Sequence, residues 1–200
     1  MTILPVRLNA IYNLNIPDNF IQKDKELLIF LNTLGNESWD SFWLIITNQL
    51  SWLPLYLVFF YLIIRSYGWK KALGLLIFTA ILITFSDQFV NFIKNFFQRL
   101  RPNNDPAINQ IIRIVKRSGG YSFVSGHATT SVAVSLFVYL TLKNHVKHII
   151  LIFFWPLFFG YSRIYVGVHF PSDVLSGFLL GAIIGWIFYE LSLLILKKIE

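Results

Sequence analysis

The sequence predicts an all-α fold, a polytopic membrane helical bundle with five transmembrane helices, or six if residues 26–34 also cross the bilayer. Hydrophobic residues fill 56% of the 200 positions and charged residues only 14%. A soluble domain carries about 25% charged residues. Mean hydropathy is +0.61, and the apolar residues are gathered into long stretches. This composition excludes a typical soluble, fibrous or disordered protein.

The apolar stretches divide the chain into a short N-terminal segment and a membrane domain. Five spans are predicted, at residues 44–66, 72–97, 127–142, 149–165 and 172–196. Pro54 is expected to kink the first of them. Residues 26–34 are apolar but short, which favours an interfacial helix. Residues 1–43 are therefore assigned to an N-terminal interfacial segment, and residues 44–200 to the membrane domain.

The distribution of basic residues predicts the orientation in the membrane. With five spans, the basic turns at 66–71 and 143–148 and the C-terminus share one side. The positive-inside rule places that side in the cytoplasm. The loop at 98–125 then faces the other side, which is the periplasm or the outside of the cell. The small size of the chain fits a bacterial protein of the cytoplasmic (inner) membrane.

Three polar clusters stand at the ends of spans, all on the side opposite the cytoplasm. They comprise Lys94 with Arg101, then Ser125, Gly126 and His127, then Arg163, His169 and Asp173. Lys94 and Arg101 are seven residues apart, which would place them on one face of a continuous helix. Ionisable residues at membrane depth are costly and indicate a functional site. Because the clusters are mainly cationic, they predict an anionic ligand such as a phosphate.

The second and third clusters supply groups suited to phosphate chemistry. Ser125 stands at the expected N-cap of a span, which would turn the amides of Gly126 and His127 towards an anion. Asp173 follows His169 by four residues and could orient its ring if the turn is helical. With two histidines at one phosphate, a neutral imidazole can attack phosphorus while an imidazolium protonates the leaving oxygen. The spacing alone leaves open which histidine attacks.

The composition gives no indication of a metal or another cofactor. There is no cysteine, so disulfides, thiolate metal sites and cysteine nucleophiles are excluded. The two histidines and one aspartate lack the further acids that a zinc site would use. The net charge of +7 indicates lipid head groups or a bound phosphate in a membrane protein, not nucleic acid. We expect an anionic ligand and the bilayer as partners, and the sequence does not indicate an oligomeric state.

The three clusters together resemble the signature of the type 2 phosphatidic acid phosphatase superfamily. That signature reads K-x6-R-P, then P-S-G-H, then S-R-x5-H-x3-D. The matching residues are Lys94, Arg101 and Pro102, then Ser125, Gly126 and His127, then Ser162, Arg163, His169 and Asp173. Val124 stands where the family usually has proline. The resemblance covers residues 94–173, and several fixed residues at fixed spacing make it a specific one.

This resemblance implies a metal-independent membrane phosphatase of lipid phosphates, in a family related to vanadate-dependent haloperoxidases. It implies that His169 is the nucleophile and becomes a phosphohistidine, and that Asp173 orients it. His127 would be the acid for the leaving group and then the base for water. The residues implied to hold the phosphate are Lys94, Arg101, Ser125, Gly126 and Arg163.

The substrate and the exact reaction stay open at this point. Undecaprenyl pyrophosphate, phosphatidylglycerophosphate, phosphatidic acid and lipid A phosphates are all candidates, and we favour a prenyl pyrophosphate. A lipid phosphotransferase could use the same site. A vanadate-dependent haloperoxidase or a non-catalytic carrier of anionic lipids are the alternatives from other classes.

Several other residues invite a simpler interpretation. Asp87 is expected to be a buried structural partner of Lys94 or of a polar group on another span. Four basic residues could steer an anionic substrate or meet lipid head groups, namely Arg99, Arg113, Lys116 and Arg117. A repeat of small residues on the last span predicts close helix packing within the bundle. These residues are Gly177, Gly181 and Gly185.

Overall fold

The structure, a computed structural model, describes residues 18–197, which form seven α-helices and no strand. The helices are α1 (Asp18–Thr33), α2 (Glu37–Ile46), α3 (Leu53–Tyr67), α4 (Trp69–Phe97), α5 (Gly126–Leu142), α6 (Phe154–Tyr165) and α7 (Pro171–Leu196). Short 3-10 helices lie at Gln49–Trp52, Pro102–Asn104 and Ile149–Phe153. Residues 1–17 and 198–200, at the ends of the two predicted segments, lie outside the described residues.

The predicted all-α membrane bundle is confirmed. Three segments are long and apolar enough to cross a membrane: Gln49–Tyr67, Trp69–Asn104 and Pro171–Leu194. Two shorter apolar helical segments, Gly126–Leu142 and Ile149–Tyr165, correspond to the third and fourth predicted spans. The outer surface exposes many large aliphatic and aromatic side chains, among them Leu57 and Leu179. Such a surface is suited to lipid and not to water.

The first membrane helix begins later than the sequence predicts. Helix α2 ends at Ile46, and the Asn48 side chain then accepts a hydrogen bond from the backbone N–H of Leu50 at 3.1 Å. This cap starts a 3-10 turn, so the predicted start at residue 44 is wrong. Pro54 lies in the first turn of α3. The expected kink is absent there, because a first-turn proline has no helical hydrogen bond to lose.

Helices α5 and α7 make the closest contact in the bundle through the three glycines of α7. A methyl group at Gly177 would lie 2.8 Å from the carbonyl oxygen of Ser125, and one at Gly185 would lie 2.6 Å from that of Ala133. At Gly181 it would overlap the carbonyl oxygen of Thr129. Only glycine allows the two backbones to come this close. The prediction of close packing within the bundle is confirmed, and we call this contact the glycine seam.

Helix α1 is joined to the end of α6 by the side chain of Asn32. Its amide nitrogen donates to the carbonyl oxygens of Tyr165 at 2.8 Å and Ile164 at 3.2 Å. Its amide oxygen accepts the backbone N–H of Arg113 at 2.7 Å. Asp24, Leu28 and Asn32, each four residues from the next, form the buried face of α1. The helix is thus held against the part of the bundle that carries the candidate site. Its placement at the membrane interface stays a prediction.

Candidate active site

The three polar clusters predicted from the sequence meet at one end of the bundle. Lys94 is near the end of α4, Ser125 directly precedes α5, Arg163 is on α6, His169 lies in the loop before α7, and Asp173 is in the first turn of α7. The backbone N–H of Ser125 donates to the carbonyl oxygen of Asp173 at 3.0 Å. A methyl group at Gly126 would lie 3.9 Å from the Lys94 ammonium nitrogen. The loops and helix ends therefore form one site.

His169 stands between Asp173 and Arg101. Its Nδ1 lies 3.4 Å from Asp173 Oδ2, and its Nε2 lies 3.1 Å from Nη1 of Arg101. An arginine side chain can only donate hydrogen bonds, so Nε2 must be the acceptor. The proton then resides on Nδ1, where Asp173 can accept it. The arrangement selects the tautomer whose Nε2 lone pair faces the cationic groups.

The ring of His169 is almost completely enclosed, with 1% of its surface exposed. This burial lowers the pKa of His169 to about 3, although the hydrogen bond and charge of Asp173 act in the opposite direction. The charges of Arg101 and Arg163 lower the pKa further. The imidazole is therefore neutral at pH 7, and its Nε2 keeps the lone pair that a nucleophile needs.

Two buried polar atoms in the site have no hydrogen-bond partner among the described residues. They are Oγ of Ser125 and Nε of Arg163. Ser125 occupies the predicted N-cap position, but its hydroxyl does not cap the helix. The other arm of Arg163 donates from Nη1 to the hydroxyl of Thr47. Buried polar groups are nearly always paired, so these two atoms are suited to hydrogen bonds with a ligand oxygen.

Arg101 reaches the site from a loop and not from the helix of Lys94. Helix α4 ends at Phe97, and Gln98 takes a left-handed conformation with φ of 50°. The proline at 102 also disfavours helical backbone at Arg101. The expected helical register of Lys94 and Arg101 is therefore wrong, although both residues do reach the site. Arg101 is fixed there by the carbonyl oxygens of Gly119, at 2.8 Å, and Val168, at 3.1 Å.

His127 lies on the first turn of α5, at the edge of a groove. Its ring packs against Phe159 with 4.8 Å between the ring centroids. It is within electrostatic range of Lys94, Arg163 and His169. The groove has a volume of about 530 Å³ and lies between α3, α4, α5 and α6. His127 therefore faces the cationic groups on one side and the groove on the other.

Arg99 and Asp24 belong to the site, and the sequence interpretation missed both roles. Arg99 donates from Nη1 to Asp173 at 2.6 Å and from Nη2 to Asp24 at 2.6 Å. Asp24 also accepts the backbone N–H of Ser172 at 2.9 Å and the hydroxyl of the same residue. The guanidinium lies 3.8 Å above the ring of Phe170. Helix α1 thus reaches the carboxylate that orients His169.

The remaining charged residues have partners that the sequence did not predict. Arg99 and Arg113 are each paired with an acid of the N-terminal helices: Arg99 donates to Asp24 at 2.6 Å, and Arg113 donates to both oxygens of Asp40 at 2.9 Å. Asp87 is exposed in the groove instead of buried, and it accepts a hydrogen bond from Asn91 at 3.3 Å. Asp24 could have been suspected from its position on the same helical face as Leu28 and Asn32, since an acid rarely lies on a buried face unpaired.

No group of three or more histidine and carboxylate side chains within residues 18–197 is placed to hold a metal ion. Three cationic side chains of the site can neutralise a phosphate: Lys94, Arg101 and Arg163. Two guanidinium groups and one ammonium can match the charge of a phosphate and the directions of its oxygens. The site therefore has the composition of an oxyanion-binding site with a buried, oriented imidazole.

Comparison with known proteins agrees with this description. Residues 69–195 match the family model of the PAP2 superfamily. The chain belongs to the PAP2 superfamily. The resemblance to the type 2 phosphatidic acid phosphatases is thereby confirmed. The family and the apolar helices together identify this PAP2 protein as an integral membrane hydrolase of lipid phosphates.

Three similar proteins illustrate the breadth of this PAP2 relationship. A lipid A 4′-phosphatase of Bacteroides thetaiotaomicron is 34% identical over 83% of this chain and 75% of its own length. An undecaprenyl-diphosphatase of Sulfolobus acidocaldarius is 32% identical over 87% of this chain and 90% of its own. The crystal structure of a transmembrane PAP2 type phosphatidylglycerolphosphate phosphatase from Bacillus subtilis has a TM-score of 0.71 at 21% identity, covering 96% of this chain and 93% of that one. This last similarity shows the fold.

Proposed function

We propose that this PAP2 protein cleaves a lipid phosphate through a covalent phosphohistidine at His169. The observation that carries the proposal is the state of the imidazole: Nδ1 faces Asp173 at 3.4 Å, and Nε2 accepts from Arg101 at 3.1 Å. A neutral nitrogen lone pair directed at a cationic cluster is what attack on a bound phosphate requires. A phosphate oxygen entering the site would compete for the Arg101 guanidinium and release Nε2 for attack.

In the first step, the Nε2 lone pair of His169 forms a bond to phosphorus while the bond between phosphorus and the ester oxygen breaks. His127 gives a proton to that oxygen, so the leaving group departs protonated. Asp173 holds the Nδ1 proton of His169 and stabilises the positive charge that develops on the ring. The products of this step are the alcohol or phosphate released from the substrate and a phosphohistidine.

In the second step, water attacks phosphorus on the side from which the leaving group departed. His127, now neutral, takes a proton from that water, and the bond between phosphorus and Nε2 breaks. The electron pair returns to His169, and inorganic phosphate leaves. Two displacements at phosphorus give overall retention of configuration, which an isotopically chiral substrate can test.

The phosphate oxygens would be held by Lys94, Arg101 and Arg163, together with the hydroxyl of Ser125 and the amide of Gly126. The unpaired Ser125 Oγ and Arg163 Nε support this assignment, since each gains a partner when an oxyanion binds. Preorganised donors of this kind stabilise the charge that builds up in the transition state. Gly126 has no side chain, which leaves its backbone accessible next to Lys94.

The identity of the lipid follows from chemistry shared with the similar proteins. Those proteins are named for lipid A phosphates and undecaprenyl pyrophosphate, and a lipid anchor in the bilayer is common to both substrates. We assign a lipid phosphate of the cell envelope, with the site on the non-cytoplasmic face of the inner membrane and the C-terminus in the cytoplasm.

Phosphate release by the purified protein in detergent tests this function. The substrates would be a lipid A phosphate, undecaprenyl pyrophosphate, phosphatidylglycerophosphate and phosphatidic acid, each with EDTA present. His169→Ala should abolish release, whereas His145→Ala, which alters an exposed histidine beside Tyr67, should leave it intact. Acid-labile label from a ³²P substrate should be found on the wild type and not on His169→Ala. Equal turnover by the two histidine variants would refute the proposal.

A further inference from the structure

The groove beside His127 stands at the level where the membrane helices leave the bilayer. The segment Gln49–Tyr67 has 19 residues, or about 28 Å of helix, which matches a hydrocarbon core of about 30 Å. With Tyr67 at one boundary of the core, Gln49 would therefore lie at the other. Asp87 is as many residues beyond the turn at Gly68 as Gln49 is before it. Since α3 and α4 are antiparallel neighbours, Asp87 lies at the same interfacial level.

The lining of this groove differs between its two ends. Asp87, Gln88 and Gln49 line the interfacial end, whereas Leu53, Tyr56 and Ile83, with the small hydroxyl residue Thr84, line the part within the hydrocarbon core. Leu50 at the entrance is 78% exposed, so the groove opens sideways to lipid. A lipid entering from the bilayer would place its head group at the polar end and its acyl or prenyl chain at the apolar end.

A polar stripe on α4 connects the groove to the phosphate site. Thr84, Asp87, Asn91 and Lys94 follow one another at helical spacings of three and four residues, which puts them on one face. Asn91 bridges part of the distance by donating to Asp87 at 3.3 Å. The charge of Asp87 is within electrostatic range of Lys94. The carboxylate is thus close enough to act on a group bound next to the phosphate.

The groove is placed to hold the leaving group, which is the part of the substrate attached to the phosphate on the side of His127. If the proposed function is correct, His127 must lie within hydrogen-bond reach of the leaving oxygen, and His127 also lines the groove. The leaving group therefore occupies the groove, in front of Asp87. A neutral, hydroxyl-rich leaving group can donate hydrogen bonds to this carboxylate. The charged phosphate that leaves from a pyrophosphate would be repelled by it.

We infer that Asp87 and the polar end of this groove select phosphate monoesters of a neutral, hydroxyl-rich head group, such as a sugar of a glycolipid, over lipid pyrophosphates. The inference rests on the proposed function, because it assigns the leaving group to the side of His127. It also reverses the preference for prenyl pyrophosphates that the sequence suggested.

The test measures kcat/KM for three substrates: a lipid A carrying one phosphate, undecaprenyl monophosphate and undecaprenyl pyrophosphate. The two undecaprenyl lipids have the same chain, so their ratio isolates the charge of the leaving group. Asp87→Asn should raise the ratio of pyrophosphate to monophosphate cleavage about tenfold, since one unit charge is removed beside the leaving phosphate. Gln88→Glu, which adds a carboxylate to the same groove, should lower that ratio.

A matched control is Glu190→Gln, which makes the same change of charge on an exposed residue of α7, far along the helix from Asp173. The ratio in this variant should equal that of the wild type. Unchanged ratios in both groove variants would overturn the inference while leaving the phosphatase intact. A wild type that cleaves pyrophosphate better than the monophosphorylated lipid A would overturn it as well. Failure of the wild type to cleave any of the three lipids would instead overturn the proposed function, and this inference with it.

Discussion

Truncation of Asp24 to alanine should reduce turnover even though this residue lies on α1, outside the motif region. Asp24 receives one arm of Arg99 at 2.6 Å, and the other arm of Arg99 holds Asp173 at 2.6 Å. Asp24 also accepts the first free amide of α7, that of Ser172, at 2.9 Å. The change therefore removes both a support of Arg99 and a cap of the helix that carries Asp173.

The magnitude can be worked from these contacts. Loss of a charge-assisted hydrogen bond costs about 1.5–3 kcal/mol, and loss of a helix cap costs about 1 kcal/mol. We expect Asp24→Ala to lower the free energy of unfolding by about 3 kcal/mol, or Tm by roughly 6–12 °C for a chain of this size. If Asp173 and His169 move by about 1 Å as a result, kcat should fall by about 100-fold. KM should change much less, because Asp24 does not contact the phosphate site directly.

Lys25→Ala is the matched control, since it changes the neighbouring residue of α1. Lys25 pairs with Asp105 at 2.9 Å, and both side chains are partly exposed. Its loss should cost under about 1 kcal/mol and leave kcat unchanged. Phosphate release by both variants, measured at a temperature below the Tm of each, decides the question. Wild-type kcat in Asp24→Ala would refute a positioning role, and equal losses in both variants would show only a general disturbance of α1.

Three further predictions concern stability, pH and metal dependence. Gly185→Leu should lower the free energy of unfolding by about 1–3 kcal/mol by overpacking the glycine seam. Gly119→Ala should leave Tm unchanged, because a methyl group there meets no atom within 4 Å. Equal Tm values for these two variants would contradict the close packing of the seam. Because the pKa of His169 is lowered to about 3, the unfolded chain binds a proton below about pH 6.5 that the folded chain does not. This residue should therefore lower the free energy of unfolding by about 1.4 kcal/mol per pH unit as the pH decreases towards 3. Between about pH 7 and pH 5, the Tm of His169→Gln should fall less than that of the wild type. Parallel plots of Tm against pH for the two proteins would contradict a buried neutral imidazole. Activity should persist in EDTA, and a loss that a divalent ion restores would contradict catalysis by cationic side chains alone.

The features that the sequence predicts well are those that depend on local pattern. The five apolar segments follow from run length and composition, because a helix in lipid must be apolar along its whole span. The convergence of Lys94, His127 and His169 follows from their positions at span ends on one side. Local spacing also predicted that Asp173 would contact His169.

The features that were missed depend on contacts between distant parts of the chain. Asp24 and Arg99 are separated by 75 residues, and no periodicity links them. The pairing of Arg163 with Thr47 is of the same kind. The break after Ile46 was missed because the residues on both sides are apolar, and a hydropathy pattern cannot distinguish one long helix from two short ones. The side chain of Asn48 was the local signal that could have revealed it, as a cap residue between two apolar runs.

The glycine seam has a consequence for how new substrate preferences can arise in this protein. Ser125 immediately precedes α5 and Asp173 lies in the first turn of α7, so the tight contact between those helices fixes these two residues relative to each other. Residues that would select the rest of the lipid lie on α3 and α4, whose surfaces are open to the bilayer. Substitutions on α3 and α4 can accumulate without moving the reacting groups. The reaction and the choice of lipid can therefore diverge independently over evolutionary time.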